Sequence, residues 1–210
     1  MNIFLLSCTD NLEVNLKENL SQEIEKRGNK VAYISSQPQD DTKPYYLSTI
    51  VDYSEVGKNI TVDYFDLSET FSDKKLNELL CYGTIYLSAG NKYTFMDSSN
   101  KRNLKVILEK HLNNNGLLVG ASAGSIMMTP SIDLAEYGDE NIPELKNTQG
   151  FNFLDFEFHP HFTDQTGEKS YLSDYKKTKN RIIYTCKDGG GIFYKNNQIK
   201  LFGGVAEFIN

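Results

Sequence analysis

The residues best suited to chemistry in this 210-residue chain surround Ser122. Residues 120–124 are Gly-Ala-Ser-Ala-Gly, which matches a Gly-x-Ser-x-Gly pattern. Glycines on both sides allow a sharp turn that would expose the serine hydroxyl as a nucleophile. The amide of Ala123, directly after the serine, would then point at a developing oxyanion. The pattern predicts attack by Ser122 on a carbonyl carbon, provided that a base lies within reach.

The segments on either side of Ser122 favour this interpretation. Residues 117–119 predict a short buried strand, and residues 125–128 can start a helix that Pro130 would stop. A strand, a sharp turn and a helix form the setting that a nucleophile elbow requires. The alternative is a glycine-rich turn whose serine is merely solvated.

The three histidines of the chain decide whether Ser122 has a base. His111 falls in a predicted helix and is expected on its solvated face. His159 and His161 follow an apolar strand, and the proline between them would hold His161 in an extended conformation at the strand end. The alternatives are a surface turn or a metal site, but Glu157 and Asp164 give no spacing typical of a zinc site. No metal is therefore expected.

Strand-like and helix-like segments alternate through the first 120 residues. Strands are predicted at residues 3–7, 31–35, 60–64 and 84–87 and before Ser122, and helices at 11–27, 45–56, 73–80 and 104–112. This alternation predicts an α/β fold: a doubly wound, mostly parallel, flavodoxin-like sheet with helices on both faces. Ligands of such sheets bind outside the carboxyl ends of the strands. Ser122 and residues 88–91 should therefore face one crevice.

The C-terminal third changes character. Short strands are predicted at residues 156–158, 181–186, 191–194 and 199–202, with a polar helix at 169–179. A strand-rich end suits an α/β protein. Because no linker, repeat or low-complexity segment is apparent, one domain over residues 1–210 is expected.

Composition limits the kinds of partner and the cellular compartment that are expected. A net charge of −6 argues against nucleic acid as a partner, since phosphate binding calls for a basic face. No apolar run is long enough to span a membrane, and the first eight residues look like a core strand instead of a signal peptide. Three scattered cysteines suit a reducing compartment, so a cytoplasmic location is expected.

Three motifs together resemble the peptidase E family of serine dipeptidases. They are the segment around Ser122, Pro-His-Phe-Thr-Asp at 160–164 and Gly-Asn at 90–91, and they occur in order with compatible spacing. The resemblance implies the class I glutamine amidotransferase-like fold, with cyanophycinase as a more distant relative. Because cysteine occupies the elbow of the amidotransferases, serine here implies hydrolysis of dipeptides or short peptides.

The resemblance also implies a role for each matching residue. Ser122 matches the nucleophile and His161 the general base. The amides of Gly90 and Ala123 match the oxyanion hole. Neither a metal nor an organic cofactor is implied.

The acid of the triad has two candidates. The position of Asp139 resembles that of the family's acidic residue, which makes it the first choice. Asp188 is the alternative, because an acid near that point orients the histidine in cyanophycinase-like relatives. Either carboxylate would fix the histidine tautomer and stabilise the imidazolium.

Two departures from the family bear on the substrate. Ala89 stands where the family usually has the first glycine of Gly-Gly-Asn, although the Gly90 amide remains. The family's preference for an amino-terminal aspartate is tied to an arginine shortly after a Gly-Glu stretch, whereas here Lys169 follows Glu168. A lysine cannot reproduce a bidentate carboxylate clamp. A preference for an acidic residue stays open, with Asn91 and Lys169 as candidate substrate-binding residues.

Other classes compete with a peptidase. The same elbow would serve a hydrolase of another amide or ester, and Ala89 with the missing arginine would suit an inactive amidotransferase-like binding module. A nucleotide-binding protein is disfavoured because neither a Gly-x-Gly-x-x-Gly nor a Walker loop follows the first strand. The expected partner is a small peptide, and the expected state is a monomer or homodimer.

Overall fold

The computed structural model describes residues 1–69, 73–135 and 138–209 of the chain. The strands in these ranges are β1 (Asn2–Leu6), β2 (Lys30–Ser35), β3 (Thr61–Asp66), β4 (Thr84–Leu87), β5 (Leu117–Ala121), β6 (Glu157–His159), β7 (Ile183–Cys186), β8 (Gly191–Lys195), β9 (Gln198–Phe202) and β10 (Val205–Glu207). The helices are α1 (Val14–Glu25), α2 (Pro44–Val56), α3 (Asp73–Asn77), α4 (Lys92–Lys101), α5 (Leu104–Asn113), α6 (Ala123–Ile126) and α7 (Thr166–Lys179).

Seven strands form the central sheet, in the order β3-β2-β4-β5-β1-β8-β9. The first five run parallel, and β8 and β9 are antiparallel to their neighbours. The carboxyl ends of parallel strands meet at one edge, so Ser7, Ser88 and Ser122 emerge together after β1, β4 and β5. The prediction of a mostly parallel α/β sheet is confirmed.

Side chains of alternate strand residues pack into two separate cores, one on each face of the sheet. Ile3, Leu5 and Leu118 pack on one face, together with buried residues of α4 and α5. Phe4 and Leu117 pack on the other face, with buried residues of α1 and α2. This is the period-two alternation expected of strands buried on both faces. Helices therefore cover both faces, as predicted.

A second sheet, in the order β10-β7-β6, supplies the strand-rich C-terminal part. Strand β6 runs parallel to β7, and β10 runs antiparallel to it. His161 follows β6, and Asp188 lies between β7 and β8. Both residues follow strands of the second sheet and lie at the carboxyl edge of the central sheet.

Several elements differ from the sequence prediction. Helix α4 was not expected, because its many polar residues obscure the helical spacing of its apolar ones. The helix nevertheless buries Tyr93, Phe95 and Met96, and the Asn91 side chain caps its amino terminus. The helix predicted over 73–80 ends as α3 and is followed by a 3₁₀ turn at Glu78–Cys81. Strand β10 was also missed, because three residues are too few for a periodic signal.

The helices of the described ranges are too short or too polar for any of them to cross a lipid bilayer.

Candidate active site

Ser122 adopts a strained backbone conformation at the junction between β5 and α6. Its φ of 47° and ψ of −111° lie outside the regions that L-residues favour. Glycine is required on both sides, because a Cβ at Gly124 would lie 2.1 Å from the carbonyl oxygen of Leu87, and one at Gly120 would lie 2.6 Å from that of Gly124. Strands β4 and β5 therefore pack against α6 too closely for a side chain at either glycine. This is the geometry of a nucleophile elbow.

Buried hydrogen bonds hold the elbow in this strained conformation. The Ser122 amide donates to the carbonyl oxygen of Leu6 at 3.0 Å. The Ser125 hydroxyl accepts from the Leu6 amide at 3.0 Å and lies 2.8 Å from the carbonyl oxygen of Gly120. Ser125 is fully buried, so these bonds are protected from competition by water. They fasten the elbow to the end of β1.

His161 joins Ser122 to Asp188. Its Nε2 lies 3.0 Å from Ser122 Oγ, and its Nδ1 lies 2.6 Å from Asp188 Oδ1. A carboxylate can only accept, so Nδ1 carries the proton and Nε2 is left to accept the serine proton. His161 has a φ of 57°, and the next amide, that of Phe162, donates to the carbonyl oxygen of Cys186 at 3.0 Å. A backbone contact to the end of β7 therefore fixes the position of the histidine.

Asp188 is held in its ionised form. Partial burial acts to raise its pKa, but hydrogen bonds from Ser7 and His161 and the nearby imidazole outweigh it, so the pKa of this carboxyl is lowered. The side chains of His161 and Asp188 are 49 % and 63 % exposed. Solvent competition therefore limits how far their hydrogen bond can stabilise the fold.

Ser7 is a site residue that the sequence analysis missed. Its buried hydroxyl donates to Asp188 Oδ1 at 2.7 Å and accepts from the His161 amide at 2.8 Å. The available signal was its position directly after the apolar strand β1, at the carboxyl edge that also carries Ser122.

Asp139 does not contact His161 in the described structure. Its Oδ2 accepts from the Lys92 amide at 3.1 Å and lies 3.6 Å from the Lys92 ammonium group. The Lys92 side chain is fully buried. Asp139 does line the cavity beside Ser122, but the carboxylate next to the histidine is that of Asp188.

Gly90 and Ala123 line the same cavity of about 250 Å³ as Ser122 and His161. Gly90 has a φ of 133°, and a Cβ there would lie 2.1 Å from Ser36 Oγ. Ala123 is the first residue of α6, so its amide has no acceptor within the helix. Both residues therefore line the cavity beside the serine, where an oxyanion hole would have to lie.

A buried His159–Glu168 pair forms another wall of this cavity. His159 Nε2 lies 2.8 Å from Glu168 Oε1, and Glu168 Oε2 accepts from the amide and the hydroxyl of Thr163, each at 2.9 Å. Burial lowers the pKa of His159 despite the neighbouring carboxylate. Burial opposes ionisation of Glu168, but the hydrogen bonds from His159 and Thr163 lower its pKa overall. His159 is therefore neutral and Glu168 ionised near neutral pH.

The two candidate substrate-binding residues lie elsewhere. Asn91 Oδ1 accepts from the Tyr93 and Thr94 amides, and its Nδ2 donates to the carbonyl oxygen of Glu140 at 2.8 Å. Lys169 pairs with Asp164 at 2.6 Å and lines an open groove that Ser122 does not line. The structure brings neither side chain into the cavity beside Ser122; the neighbour of Lys169, Glu168, lines it instead.

The mostly parallel sheet, with helices on both faces and a serine elbow after β5, has the class I glutamine amidotransferase-like fold. The chain belongs to peptidase family S51, whose sequence profile matches residues 3–202.

One curated protein and two solved structures are similar to this chain. An uncharacterized peptidase of Pasteurella multocida (strain Pm70) is 27% identical over 105 residues, which are 49% of this chain and 51% of that protein. The match thus spans about half the length of this curated relative. A candidate peptidase E protein from Listeria monocytogenes EGD-e superposes with a TM-score of 0.77 at 20% identity, covering 95% of this chain and 96% of the other. A peptidase from an acI-B1 Actinobacterium gives a TM-score of 0.67 at 13% identity, covering 99% and 96%. At these identities the two structures show the shared fold.

Proposed function

We propose that this protein is a serine peptidase that hydrolyses dipeptides or short peptides, with Ser122 as nucleophile, His161 as general base and Asp188 as the orienting acid. The observation that carries the proposal is the continuous contact from Ser122 Oγ through His161 to Asp188, at 3.0 and 2.6 Å. A binding module that had lost activity would have no need to keep this alignment on a strained serine.

The reaction is acyl transfer to water. His161 Nε2 takes the hydroxyl proton as Ser122 Oγ bonds to the scissile carbonyl carbon. The imidazolium then gives this proton to the leaving nitrogen as the C–N bond breaks, which releases an amine and leaves an ester on Ser122. His161 next takes a proton from water, whose oxygen attacks the ester. The proton returns to Ser122 Oγ as the free acid departs.

The amides of Gly90 and Ala123 would stabilise the oxyanion in both tetrahedral intermediates. Removing one such donor typically costs a factor of about 10² to 10³ in kcat. These donors belong to the backbone, so their position depends on the conformation at Gly90 and on the start of α6. The Ala89 departure from the family pattern leaves the Gly90 amide in place.

Asp188, and not Asp139, is the acid of this proposal. The carboxylate of Asp188 accepts from His161 Nδ1 and is kept ionised by the hydroxyl of Ser7. Asp139 instead accepts a hydrogen bond from the Lys92 amide and pairs with the Lys92 ammonium group.

An acidic residue at the substrate's amino terminus is disfavoured in this proposal. Among the described residues, the side chains that line the Ser122 cavity include the carboxylates of Asp139 and Glu168 and neither an arginine nor a lysine. A substrate carboxylate there would meet like charge without a bidentate partner. Neutral and basic amino-terminal residues are therefore the expected substrates.

Release of free amino acids from a dipeptide panel tests the proposal. The panel contains aspartyl, isoaspartyl, neutral and basic amino-terminal members, each incubated with the wild type, Ser122→Ala and Ser54→Ala. Ser54 lies exposed on α2 with its hydroxyl on a local carbonyl, so its variant controls for loss of a serine hydroxyl. Cleavage by the wild type and Ser54→Ala, but not by Ser122→Ala, is expected. Equal turnover by Ser122→Ala would refute the serine mechanism, and no cleavage of any member would favour another acyl substrate.

A further inference from the structure

A second cavity lies beside the one that contains Ser122, and Gly90 lines both. Its volume is about 310 Å³, and it opens at the carboxyl ends of β2 and β4 against α2. Most of its lining side chains carry hydroxyl or amide groups, and the hydroxyls include those of Thr9, Ser35, Ser36, Ser48, Thr49 and Ser88. We call it the hydroxyl-lined cavity.

Asp52, on α2, is the charged side chain among the residues that line this cavity. Its Oδ2 accepts from the hydroxyl of Thr9 at 2.6 Å. Within the described ranges, the Asp52 carboxylate accepts no other hydrogen bond. Its Oδ1 can therefore accept a hydrogen bond from a ligand. In the part of the chain that the structure describes, neither a lysine nor an arginine lines the cavity to neutralise this carboxylate. A carboxylate placed among hydroxyl groups is suited to a protonated amine, which donates several hydrogen bonds at once.

The position of the cavity relative to His161 indicates which part of a peptide would enter it. His161 must face the leaving nitrogen in order to protonate it, and His161 lines the Ser122 cavity but not the hydroxyl-lined cavity. In the proposed reaction the carbonyl oxygen would point at the amides of Gly90 and Ala123. The acyl part of the substrate, which carries the amino-terminal residue, is left to extend past Gly90.

We propose that the hydroxyl-lined cavity is a subsite in which Asp52 binds a protonated amine of the substrate's amino-terminal residue. The inference rests on the proposed peptidase function, which it extends by naming a substrate class. Two amines share this chemistry: the α-ammonium group and the side-chain ammonium group of a basic residue. The Asp52 carboxylate would repel acidic groups. The polar lining would also disfavour a purely apolar side chain, because its hydroxyl and amide groups would lose hydrogen bonds to water.

Binding to a protein that cannot turn over its ligand tests the subsite. Isothermal titration calorimetry would measure lysyl-alanine, norleucyl-alanine and Nα-acetyl-lysyl-alanine against Ser122→Ala, with and without Asp52→Asn. Glu55→Gln in the same background is the matched control, since Glu55 is an exposed carboxylate on the same helix that pairs with Lys17. Loss of a charge-assisted hydrogen bond should weaken binding about tenfold or more.

The pattern across ligands identifies the amine. If Asp52 binds the side-chain ammonium group, Asp52→Asn removes the advantage of lysyl over norleucyl peptide. If it binds the α-ammonium group, Asp52→Asn weakens both free peptides and leaves the acetylated peptide unchanged. Equal weakening of all three, no effect of Asp52→Asn, or no binding of any peptide would overturn the subsite. Because no turnover is measured, these results are independent of whether the wild type is a peptidase.

Discussion

The hydroxyl of Ser7 donates to Asp188 Oδ1 at 2.7 Å, the same oxygen that lies 2.6 Å from His161 Nδ1. Ser7 also accepts from the His161 amide at 2.8 Å, so one buried side chain holds the proposed acid and the backbone of the proposed base together. A residue of the first strand thus positions two residues that are more than 150 places later in the chain.

Ser7→Ala is expected to reduce kcat without removing any reacting group. A hydrogen bond to a charged group contributes about 1.5 to 3 kcal/mol, so its loss should reduce kcat by roughly tenfold or more. The bond helps to lower the pKa of Asp188, so this carboxyl should titrate at higher pH in the variant. Steady-state kinetics, with Ser54→Ala as control, measure the fall in kcat, and an NMR titration of the Asp188 carboxyl measures the change in its pKa. A fall in kcat with an unmoved Asp188 titration would count against positioning through Asp188.

The two candidate acids should respond differently to the same substitution. Asp188→Asn would hold His161 in the wrong tautomer, and the expected loss in kcat is about 10³ to 10⁴. Asp139→Asn should leave most activity but reduce stability by roughly 1 to 3 kcal/mol, because it weakens an acceptor of the buried Lys92. Kinetics and urea denaturation of both variants separate the two roles. A larger loss of kcat in Asp139→Asn would restore Asp139 as the triad acid.

Gly90→Ala should impair both the fold and the oxyanion hole. The added Cβ would lie 2.1 Å from Ser36 Oγ, and the φ of 133° strains any other residue. Ser36→Gly combined with Gly90→Ala removes the clash but keeps the backbone strain. We expect this double variant to recover part of the thermal stability and little of the activity. Full recovery of kcat would mean that the Gly90 amide is not needed for the reaction.

Acidification should destabilise the protein through the pair that borders the active site. His159 has a lowered pKa when folded, so its contribution is lost as pH falls below about 6.5, where the unfolded chain takes up the proton. Glu168 also has a lowered pKa, and its contribution is lost as pH falls further through that folded value. Free energies of unfolding in urea at about pH 5 and pH 8 should differ, with the lower value at acid pH.

His159→Gln tests the origin of that difference. The variant should show a smaller pH dependence, though some should remain, because burial also lowers the pKa of His111. His111→Gln is the matched control, since it removes the other buried histidine, which lies away from the cavity. An unchanged pH dependence in His159→Gln would assign the effect to other groups.

Local patterns in the sequence predicted much of this protein. The spacing of Gly120, Ser122 and Gly124 indicated the elbow, because close packing of strand on helix demands small residues at fixed positions. The alternation of apolar segments indicated the parallel sheet. Pro160-His161 after an apolar strand predicted a histidine within reach of Ser122, and His161 Nε2 lies 3.0 Å from its hydroxyl. Each of these signals is carried by residues that are neighbours in the chain.

The tertiary structure alone decided which acid meets His161. Asp139 and Asp188 both stand in loops with glycine, and nothing in either loop shows where it lies in the fold. The antiparallel pairing of β1 with β8, which sets Leu6 opposite Gly191, brings the loop of Asp188 to Ser7. The pairing of β6 with β7 then brings His161 to the same place. Strand register between distant segments depends on packing across the whole sheet, so a short stretch of sequence cannot encode it.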